Sequence, residues 1–199
     1  MTITDIKQQV KRADRYSIYG DKKYIFSLSE SELLGIGLKI GQEFTDAELE
    51  DLKQTAVLDK AYDRALSMVA RRPRSVWEMQ QYLKRKEYEQ EVIEQTLGKL
   101  SNKNYLNDEA FATAWVASRR LLKNTSKRRL TQELRAKRVS DEIVRAVLEA
   151  DDTDEQEVLR QLIERKRSQT RYQDEQKLMQ YLVRQGYNYS DIKSVLSET

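Results

Sequence analysis

The chain has 199 residues and a formal net charge of +3; 35% of its residues are charged, only 6 are glycine, and cysteine and histidine are absent. This composition is typical of a helical protein and excludes disulfide bonds, Cys or His nucleophiles and the usual zinc and iron ligand sets, so we predict no enzymatic activity and no cofactor. Because we find no apolar run long enough to span a membrane, and the charged N-terminus lacks the apolar core of a signal peptide, we expect a cytoplasmic protein that has no membrane partner.

The first 58 residues predict a small β-rich module and a linking helix. Short aromatic and β-branched runs at residues 15–19 and 22–28 flank Gly20-Asp21, a pair suited to the tight turn of a hairpin. Three glycines within residues 33–41 fit neither of the glycine patterns that bind nucleotide phosphates, so we expect strand bends or turns there.

The linking helix leads into a region that is helical throughout. Thr45 and Glu48 form a capping box, which predicts a helix through about Val57. A second helix is expected from Ala61 to Arg71, because Pro73 disfavours helical geometry at the residue before it.

From Ala61 onward the apolar residues repeat. The repeat is anchored by Leu83, Leu134 and Leu182, which are separated by 51 and 48 residues, a period that suits tandem three-helix repeats. The positions five, ten and fourteen residues after each anchor match in type: Tyr88, Val139 and Tyr187; Ile93, Val144 and Ile192; Leu97, Leu148 and Leu196. We therefore predict a mainly α fold, an elongated array of three helical repeats behind the β module, with domains at residues 1–58, 59–106, 107–150 and 151–199.

Local signals predict the other helix boundaries. The first helices of the second and third repeats are expected at Asp108–Leu122 and Asp154–Arg167. The residues predicted to begin helices as N-caps are Ser75 (in a capping box with Glu78), Asn107, Ser140 and Ser190. Trp115 belongs to an apolar stripe with Phe111, so we predict a core residue, although an indole can also stack on a nucleic-acid base.

Positive charge is concentrated in the middle of the chain. Residues 61–150 hold 19 basic and 12 acidic side chains, and residues 119–138 hold nine basic side chains against the single acid Glu133. The acids at residues 151–155 precede a helix, so we predict first-turn acids that complement a helix dipole and not a Mg²⁺ site. The bias is a localised basic patch on a nearly neutral protein.

Two basic clusters stand where helices begin, at residues 71–74 and 127–129, although cations are disfavoured there. We predict two related anion sites, in which free backbone N–H groups and cationic side chains converge on a carboxylate or phosphate. The alternative is that these charges are solvated helix faces. The predicted patch comprises Arg71, Arg72, Arg74, Arg119, Arg120, Lys123, Lys127, Arg128, Arg129 and Lys137.

Four segments occur in order along the repeats: R-x-R-S-x-x-E-x-x-x-Y-L (72–83), Y-L-N-D-E-A-F-A-x-x-W-V-x-S-R (105–119), L-T-Q-E-L-R-A-K (130–137) and Q-K-L-M-Q-Y-L-V-R-Q-G-Y-N-Y-S-D-I (176–192). With R-Y-S-I-Y-G-D-K-K-Y-I-F (15–26) ahead of them, the chain resembles the RecX regulators of the RecA recombinase over nearly its whole length. Where that family usually has a Lys-Gly pair after the anchor leucine of the second repeat, this chain has Lys137-Arg138, and the first repeat has Lys86-Glu87. The helix-ending turn must therefore form without glycine at both places.

The resemblance implies a non-catalytic protein that binds the RecA filament on single-stranded DNA and limits its growth, ATPase and strand exchange, a negative regulator of recombination, DNA repair and the SOS response. We expect contact with single-stranded DNA through the filament, with direct contact as the alternative, and nothing in the sequence requires more than a monomer. Two other functions stay open: a helix-turn-helix reader of duplex DNA, with Gln80, Gln81 and Lys84 as candidate base contacts, and a pure protein-interaction scaffold.

Overall fold

The computed structural model describes residues 1–198 and confirms a mainly α fold with a small sheet at its start. The strands are β1 (Ile3–Gln9), β2 (Arg12–Gly20) and β3 (Lys23–Ser29). The helices are α1 (Glu30–Ile36), α2 (Asp46–Val69), α3 (Val76–Lys84), α4 (Gln90–Asn102), α5 (Asp108–Lys123), α6 (Lys127–Ala136), α7 (Asp141–Glu149), α8 (Glu155–Arg167), α9 (Glu175–Arg184) and α10 (Tyr189–Glu198). The chain forms two compact units: an N-terminal unit of residues 1–72 and 79–106, and a C-terminal unit of residues 73–78 and those from Asn107 onward.

The β module is a three-stranded antiparallel meander, and the prediction missed its first strand. Strand β1 carries few apolar residues, and only Ile3 of it is buried, so its sequence lacks a clear alternation. The hairpin turn between β2 and β3 lies one residue later than predicted. Its two central residues are Asp21 and Lys22, both left-handed with φ of 47° and 66°, as hairpin turns that match strand twist require.

The glycine-containing stretch is helical only in its first part, residues 33–36, and it contains no strand, so the prediction of strand bends was wrong. Helix α1 begins at Ser29, whose side chain accepts from the N–H of Glu32, and it ends at Gly37, which is left-handed with φ of 69°. Gly41 also has a positive φ, of 86°. The prediction of turns therefore holds for these two glycines only.

Helix α2 is longer than predicted. The capping box of Thr45 and Glu48 is present, but the helix continues for 24 residues to Val69. No glycine or proline stands at residues 57–61, so nothing interrupts the helix where two helices were predicted. The predicted domain boundary between residues 58 and 59 thus lies inside one helix.

A buried ion pair fastens the sheet to helix α2 within the N-terminal unit. Arg15 on β2 is 4% exposed, and its guanidinium lies 3.1 Å from carboxylate oxygens of both Asp59 and Asp63. Asp59 also accepts from the N–H and the hydroxyl of Ser29, at 2.8 and 2.6 Å. The β module and α2 therefore share one polar network in addition to an apolar core that includes Ile18, Leu28 and Ala56.

The three-helix repeats have the predicted register. Separate apolar cores of the second and third repeats contain the anchor residues Leu134 and Leu182, and the anchor Leu83 is fully buried. Helices α5 and α8 confirm the predicted first helices within one residue at each end. In residues 1–198 none of the helices combines the length and hydrophobicity that a membrane crossing demands.

The anchor leucines end the second helix of each repeat in the same turn. In the second repeat the N–H of Val139 donates to Leu134 O at 3.2 Å and that of Arg138 to Arg135 O at 2.9 Å, which is the Schellman arrangement. The same bonds join Tyr88 to Leu83 and Tyr187 to Leu182.

The turn needs a left-handed residue, which is Glu87 (φ 59°), Arg138 (φ 58°) and Gly186 (φ 95°) in successive repeats. The chain therefore forms this turn twice without glycine.

Three of the four predicted N-caps are confirmed. The side chains of Ser75, Asn107 and Ser140 accept from backbone N–H groups of the helices that they precede. Ser190 does not cap a helix, because α10 already begins at Tyr189. Asn188 precedes that helix, and its carbonyl accepts the first bond from Ile192.

Candidate anion-binding site

The second basic cluster lies in the first turn of α6, and Ser126 fixes where that helix begins. Ser126 is 1% exposed; its hydroxyl accepts from the N–H of Arg129 at 3.2 Å and donates to Gln185 O at 2.7 Å. Gly186 follows directly, and a Cβ placed on it would lie 2.7 Å from Ser126 Oγ. The start of α6 is therefore packed against the end of α9, and only glycine leaves enough space.

The anion predicted at this helix start is a carboxylate of the chain itself. The N–H of Lys127 donates to both carboxylate oxygens of Glu155, at 3.0 and 3.1 Å. Glu155 is the first residue of α8, and Asp154 before it caps that helix by accepting from the N–H of Gln156. Because negative charge at a helix N-terminus is stabilising, Glu155 offsets the cost of the cations of α6. Of the acids predicted to lie in the first turn, only Glu155 does, since Asp154 is the N-cap and Asp151 precedes the helix and pairs with Arg120.

The same arrangement occurs at the start of α3, within the C-terminal unit. The N–H of Val76 donates to a carboxylate oxygen of Asp108 at 2.8 Å, and Ser75 Oγ donates to Lys137 O at 3.0 Å. Asp108 is the first residue of α5, as Glu155 is of α8. Burial raises the pKa of Asp108, although the hydrogen bond from Val76 opposes that shift. Both predicted anion sites thus contain an intramolecular carboxylate.

Arg120 faces inward. Its side chain is 8% exposed; Nε and Nη2 donate to Asp151 at 2.9 and 2.8 Å, and Nη1 donates to Thr125 O at 2.7 Å and contacts Glu155. Burial alone would raise the pKa of Asp151, but hydrogen bonds from Thr153 and Arg120 outweigh it and lower the pKa. Arg120 therefore lies in a buried ion pair and not on the exposed patch.

Three further cations of the predicted patch share Glu133 or Glu78. Arg119 Nε donates to Glu133 at 2.7 Å, and Arg129 Nε lies 3.6 Å from the other carboxylate oxygen. Lys137 Nζ lies 2.6 Å from Glu78. These pairs neutralise much of the charge that the sequence places in this stretch.

Trp115 links two of these pairs. Its Nε1 donates to Glu133 at 2.9 Å, and its ring centroid lies 4.3 Å from the guanidinium carbon of Arg119 and 5.3 Å from Lys137 Nζ. The ring is partly buried against the core of the second repeat and packs on Phe111 at 5.6 Å between centroids. Trp115 therefore contributes to the core, as predicted, and is partly buried.

The cations that remain available lie at the start of α6 and the end of α5. The side chains of Lys123, Lys127 and Arg128 are exposed, and none of them forms an ion pair with any acidic side chain of residues 1–198. Lys127 and Arg128 line a groove between α6 and α7 together with Arg135 and Arg145, and these four cations outnumber the two acids of its lining, Asp141 and Glu149. We call this the basic groove.

Sequence reasoning missed two residues of the basic groove. Arg135 follows Arg128 by seven residues and so lies on the same helix face two turns later, a spacing that is visible in the sequence. Arg145 comes from α7, and only the packing of α6 against α7 brings it to the groove. Arg135 pairs with Asp141 at 2.7 Å, but both side chains are exposed, so a competing anion can reach the guanidinium.

The first predicted cluster does not lie within one compact unit. Arg71 and Arg72 belong to the N-terminal unit and Arg74 to the C-terminal unit. Arg71 and Arg72 are exposed, and Arg74 is half-buried. Of this first cluster only Arg74 therefore belongs to the C-terminal unit, which also contains the basic groove.

Comparison with known proteins finds matches to the β module and to each of the three repeats. Sequence models described as RecX first, second and third three-helix domains match residues 61–100, 107–148 and 153–196, and one described as the regulatory protein RecX N-terminal domain matches residues 1–45. These matches cover the β module and all three repeats.

Relatives of similar organisation occur in several bacteria. The chain is 32% identical to the "Regulatory protein RecX" of Listeria monocytogenes serotype 4a, over 100% of the chain and 76% of the relative, and 28% identical to that of Bacillus subtilis, over 98% and 76%. A crystal structure of regulatory protein RecX superposes with a TM-score of 0.72 at 26% identity, covering 98% of both chains. RecX from Lactobacillus salivarius shares the fold, with a TM-score of 0.59 at 21% identity over 71% of this chain and 95% of that one.

Proposed function

The chain belongs to the RecX family of regulatory proteins, and from that premise we propose that it binds the RecA filament on single-stranded DNA and limits its growth, ATPase and strand exchange. It acts in the cytoplasm as a monomer and without catalysis, as a negative regulator of recombination, DNA repair and the SOS response. The family and the exposed cations support this function together, because a nucleoprotein filament offers both phosphates and carboxylates.

The basic groove is the observation that carries the proposal. Five of the ten cations of the second repeat are held by carboxylates of the chain, whereas Lys127 and Arg128 project from the first turn of α6 without an ion pair among residues 1–198. Uncompensated positive charge attracts anionic partners at long range and binds them with a strong salt dependence. Lys127, Arg128 and Arg145 are therefore the side chains that we assign to the filament, with Lys123 beside them.

The test is the ATPase activity of RecA on single-stranded DNA, titrated with this protein at less than one copy per RecA. The variant Lys127→Glu/Arg128→Glu should inhibit at least tenfold less well than the unaltered protein. Arg129 is kept, because its contact with Glu133 belongs to the fold. The control Lys11→Glu/Lys23→Glu makes the same charge change at exposed sites of the β module and should inhibit normally.

Three outcomes would contradict the proposal. Inhibition by the α6 variant equal to that of the unaltered protein would remove the basic groove from the mechanism. Tight, salt-dependent binding to bare single-stranded DNA without inhibition of RecA would indicate a nucleic-acid-binding protein, and protection of duplex DNA in footprinting would indicate a helix-turn-helix reader.

A further inference from the structure

The groove between the second and third helices occurs in two repeats of the C-terminal unit with opposite chemistry. In the third repeat it is lined by Gln176, Met179, Gln180, Val183, Arg184 and Tyr189. Four of these positions match positions of the basic groove 48 residues earlier. The replacements are Arg128 by Gln176, Thr131 by Met179, Arg135 by Val183 and Asp141 by Tyr189.

These replacements remove every charge at the shared positions. Val183 is 47% exposed and Tyr189 is 59% exposed, although both side chains are largely apolar. Met179 is half-buried and also packs against the core of the third repeat, so the floor of the groove is held by the fold. We call this surface the apolar groove.

One cation remains at the edge of the apolar groove. Arg184 is exposed, and within residues 1–198 it forms no ion pair. The amides of Gln176 and Gln180 lie on the same helix. The groove therefore has an apolar floor, with amides and a single unpaired arginine at its edge. This arrangement suits a peptide segment in which an apolar side chain lies next to a carboxylate.

We propose that the apolar groove binds a segment of the protein partner in which an apolar side chain is followed or preceded by Asp or Glu. Met and Tyr are the side chains that adapt to and anchor such contacts, since Met fills irregular shapes and Tyr contributes a large rigid surface. A single-stranded nucleic acid would instead favour an aromatic ring flanked by several cations. The partner's carboxylate pairs with Arg184, and its apolar side chain packs between Val183 and Tyr189.

The two grooves then contribute to filament binding in different ways. The basic groove contributes salt-sensitive attraction to phosphates or carboxylates, whereas the apolar groove contributes contacts that persist at raised salt concentration. This division rests on the proposed function, because the partner that carries the segment is the RecA filament.

The experiment compares binding of four forms of the full chain to RecA filaments on single-stranded DNA, and to the bare DNA, at low and raised salt. They are the unaltered chain, Val183→Glu, Arg184→Glu and the control Val10→Glu. Val10 is fully exposed between β1 and β2, so this control makes the same substitution away from the groove. Circular dichroism melting checks that each form is folded.

We expect Val183→Glu to bind the filament at least tenfold more weakly at both salt concentrations, and Arg184→Glu to do so at low salt, where its ion pair is least screened. Binding of both variants to bare DNA, and binding of Val10→Glu to the filament, should stay within twofold of the unaltered chain. Equal filament binding by Val183→Glu would overturn the apolar groove and leave the proposed function intact. A parallel loss on bare DNA would make the groove a nucleic-acid site, and a change in sedimentation of the protein alone would make it a contact between copies; either result overturns the proposal. If the unaltered chain fails to bind the filament, the proposed function falls, and this inference falls with it.

Discussion

The backbone N–H of Lys127 is bound by the carboxylate of Glu155, just as the N–H of Val76 is bound by Asp108. In each case the acid is the first residue of the next repeat's first helix, 28 or 32 residues further along the chain. The positive charges at these helix starts are therefore tolerated because each start receives an anion from the chain itself. What remains for a partner is the cationic side chains and not the backbone N–H groups.

Gly186→Ala tests how tightly the start of α6 is packed. The new methyl group would lie 2.7 Å from Ser126 Oγ and 3.3 Å from the N–H nitrogen of Arg129, and the residue has a φ of 95°. We expect a loss of about 2 to 4 kcal/mol in the free energy of unfolding, from overpacking and backbone strain together. Chemical denaturation measures it; a loss below about 0.5 kcal/mol would show that the Ser126 contact relaxes easily.

Arg138→Gly, at the equivalent position of the second repeat, should raise the free energy of unfolding, whereas Gly186→Ala should lower it. Arg138 has a φ of 58°, and its side chain is exposed without an ion pair in residues 1–198. Glycine adopts this conformation without the steric cost of a Cβ, but it also gives the unfolded chain more conformational entropy. The net expectation is a gain of about 0.5 to 1 kcal/mol in the free energy of unfolding. Arg138→Ala serves as the control, because it removes the same charge while keeping the Cβ, and it should give no comparable gain.

The sequence predicted most of the fold, because helix signals are local. The register of the anchor leucines, the caps Asn107 and Ser140 and the limits of α5 and α8 all depend on residues within one or two turns. Strand β1 was missed because its pairing with β2, and not its own apolar pattern, defines it.

The candidate site was predicted less well, for a related reason. The partners of Arg120 lie 31 and 35 residues away in sequence, and Arg119 pairs with Glu133 on a different helix. Because only the packing of the helices brings these groups together, the sequence alone does not show that the two arginines are paired. A cluster of basic residues thus showed where charge lies in the sequence, but not which side chains were already paired. Lys127 and Arg128 keep their charge available because they project from the first turn of α6 into solvent.

Asp151→Asn should lower the free energy of unfolding at neutral pH and make that free energy depend less on pH in the acid range. Asp151 has a pKa below its usual value of 3.8 in the folded protein, so its stabilisation is present above the unfolded-state pKa and is lost as the pH falls through the folded-state pKa. At pH 7 we expect a loss of about 2 to 3 kcal/mol, less than for a fully isolated buried pair because Glu155 still contacts Arg120. Urea unfolding between pH 7 and pH 3 measures it. A difference between the two proteins that stays constant over this range would contradict the ion-pair assignment.

Asp59→Ala tests the connection between the sheet and helix α2. The substitution leaves the guanidinium of Arg15, 4% exposed, with Asp63 as its remaining carboxylate, and it removes both acceptors of Ser29. We expect a loss of about 3 kcal/mol, since removal of one partner leaves a buried charge poorly compensated. The control Asp14→Ala removes an exposed carboxylate that pairs with Arg12 and should change stability by about 0.5 kcal/mol or less. Similar losses in both variants would show that burial does not strengthen the Asp59 pair.

Trp115→Ala and Trp115→Phe separate a core residue from a binding residue. Alanine removes the packing on Phe111 and the bond to Glu133, so we expect a loss of about 3 kcal/mol, whereas phenylalanine loses only the hydrogen bond and should cost about 1 kcal/mol. Because the ring acts within the core, Trp115→Phe should bind RecA filaments as the unaltered protein does. Thermal melting and filament binding are measured on the same samples. A Trp115→Ala protein that melts normally but no longer binds would instead assign the ring to the partner, with Arg119 and Lys137 holding it in place.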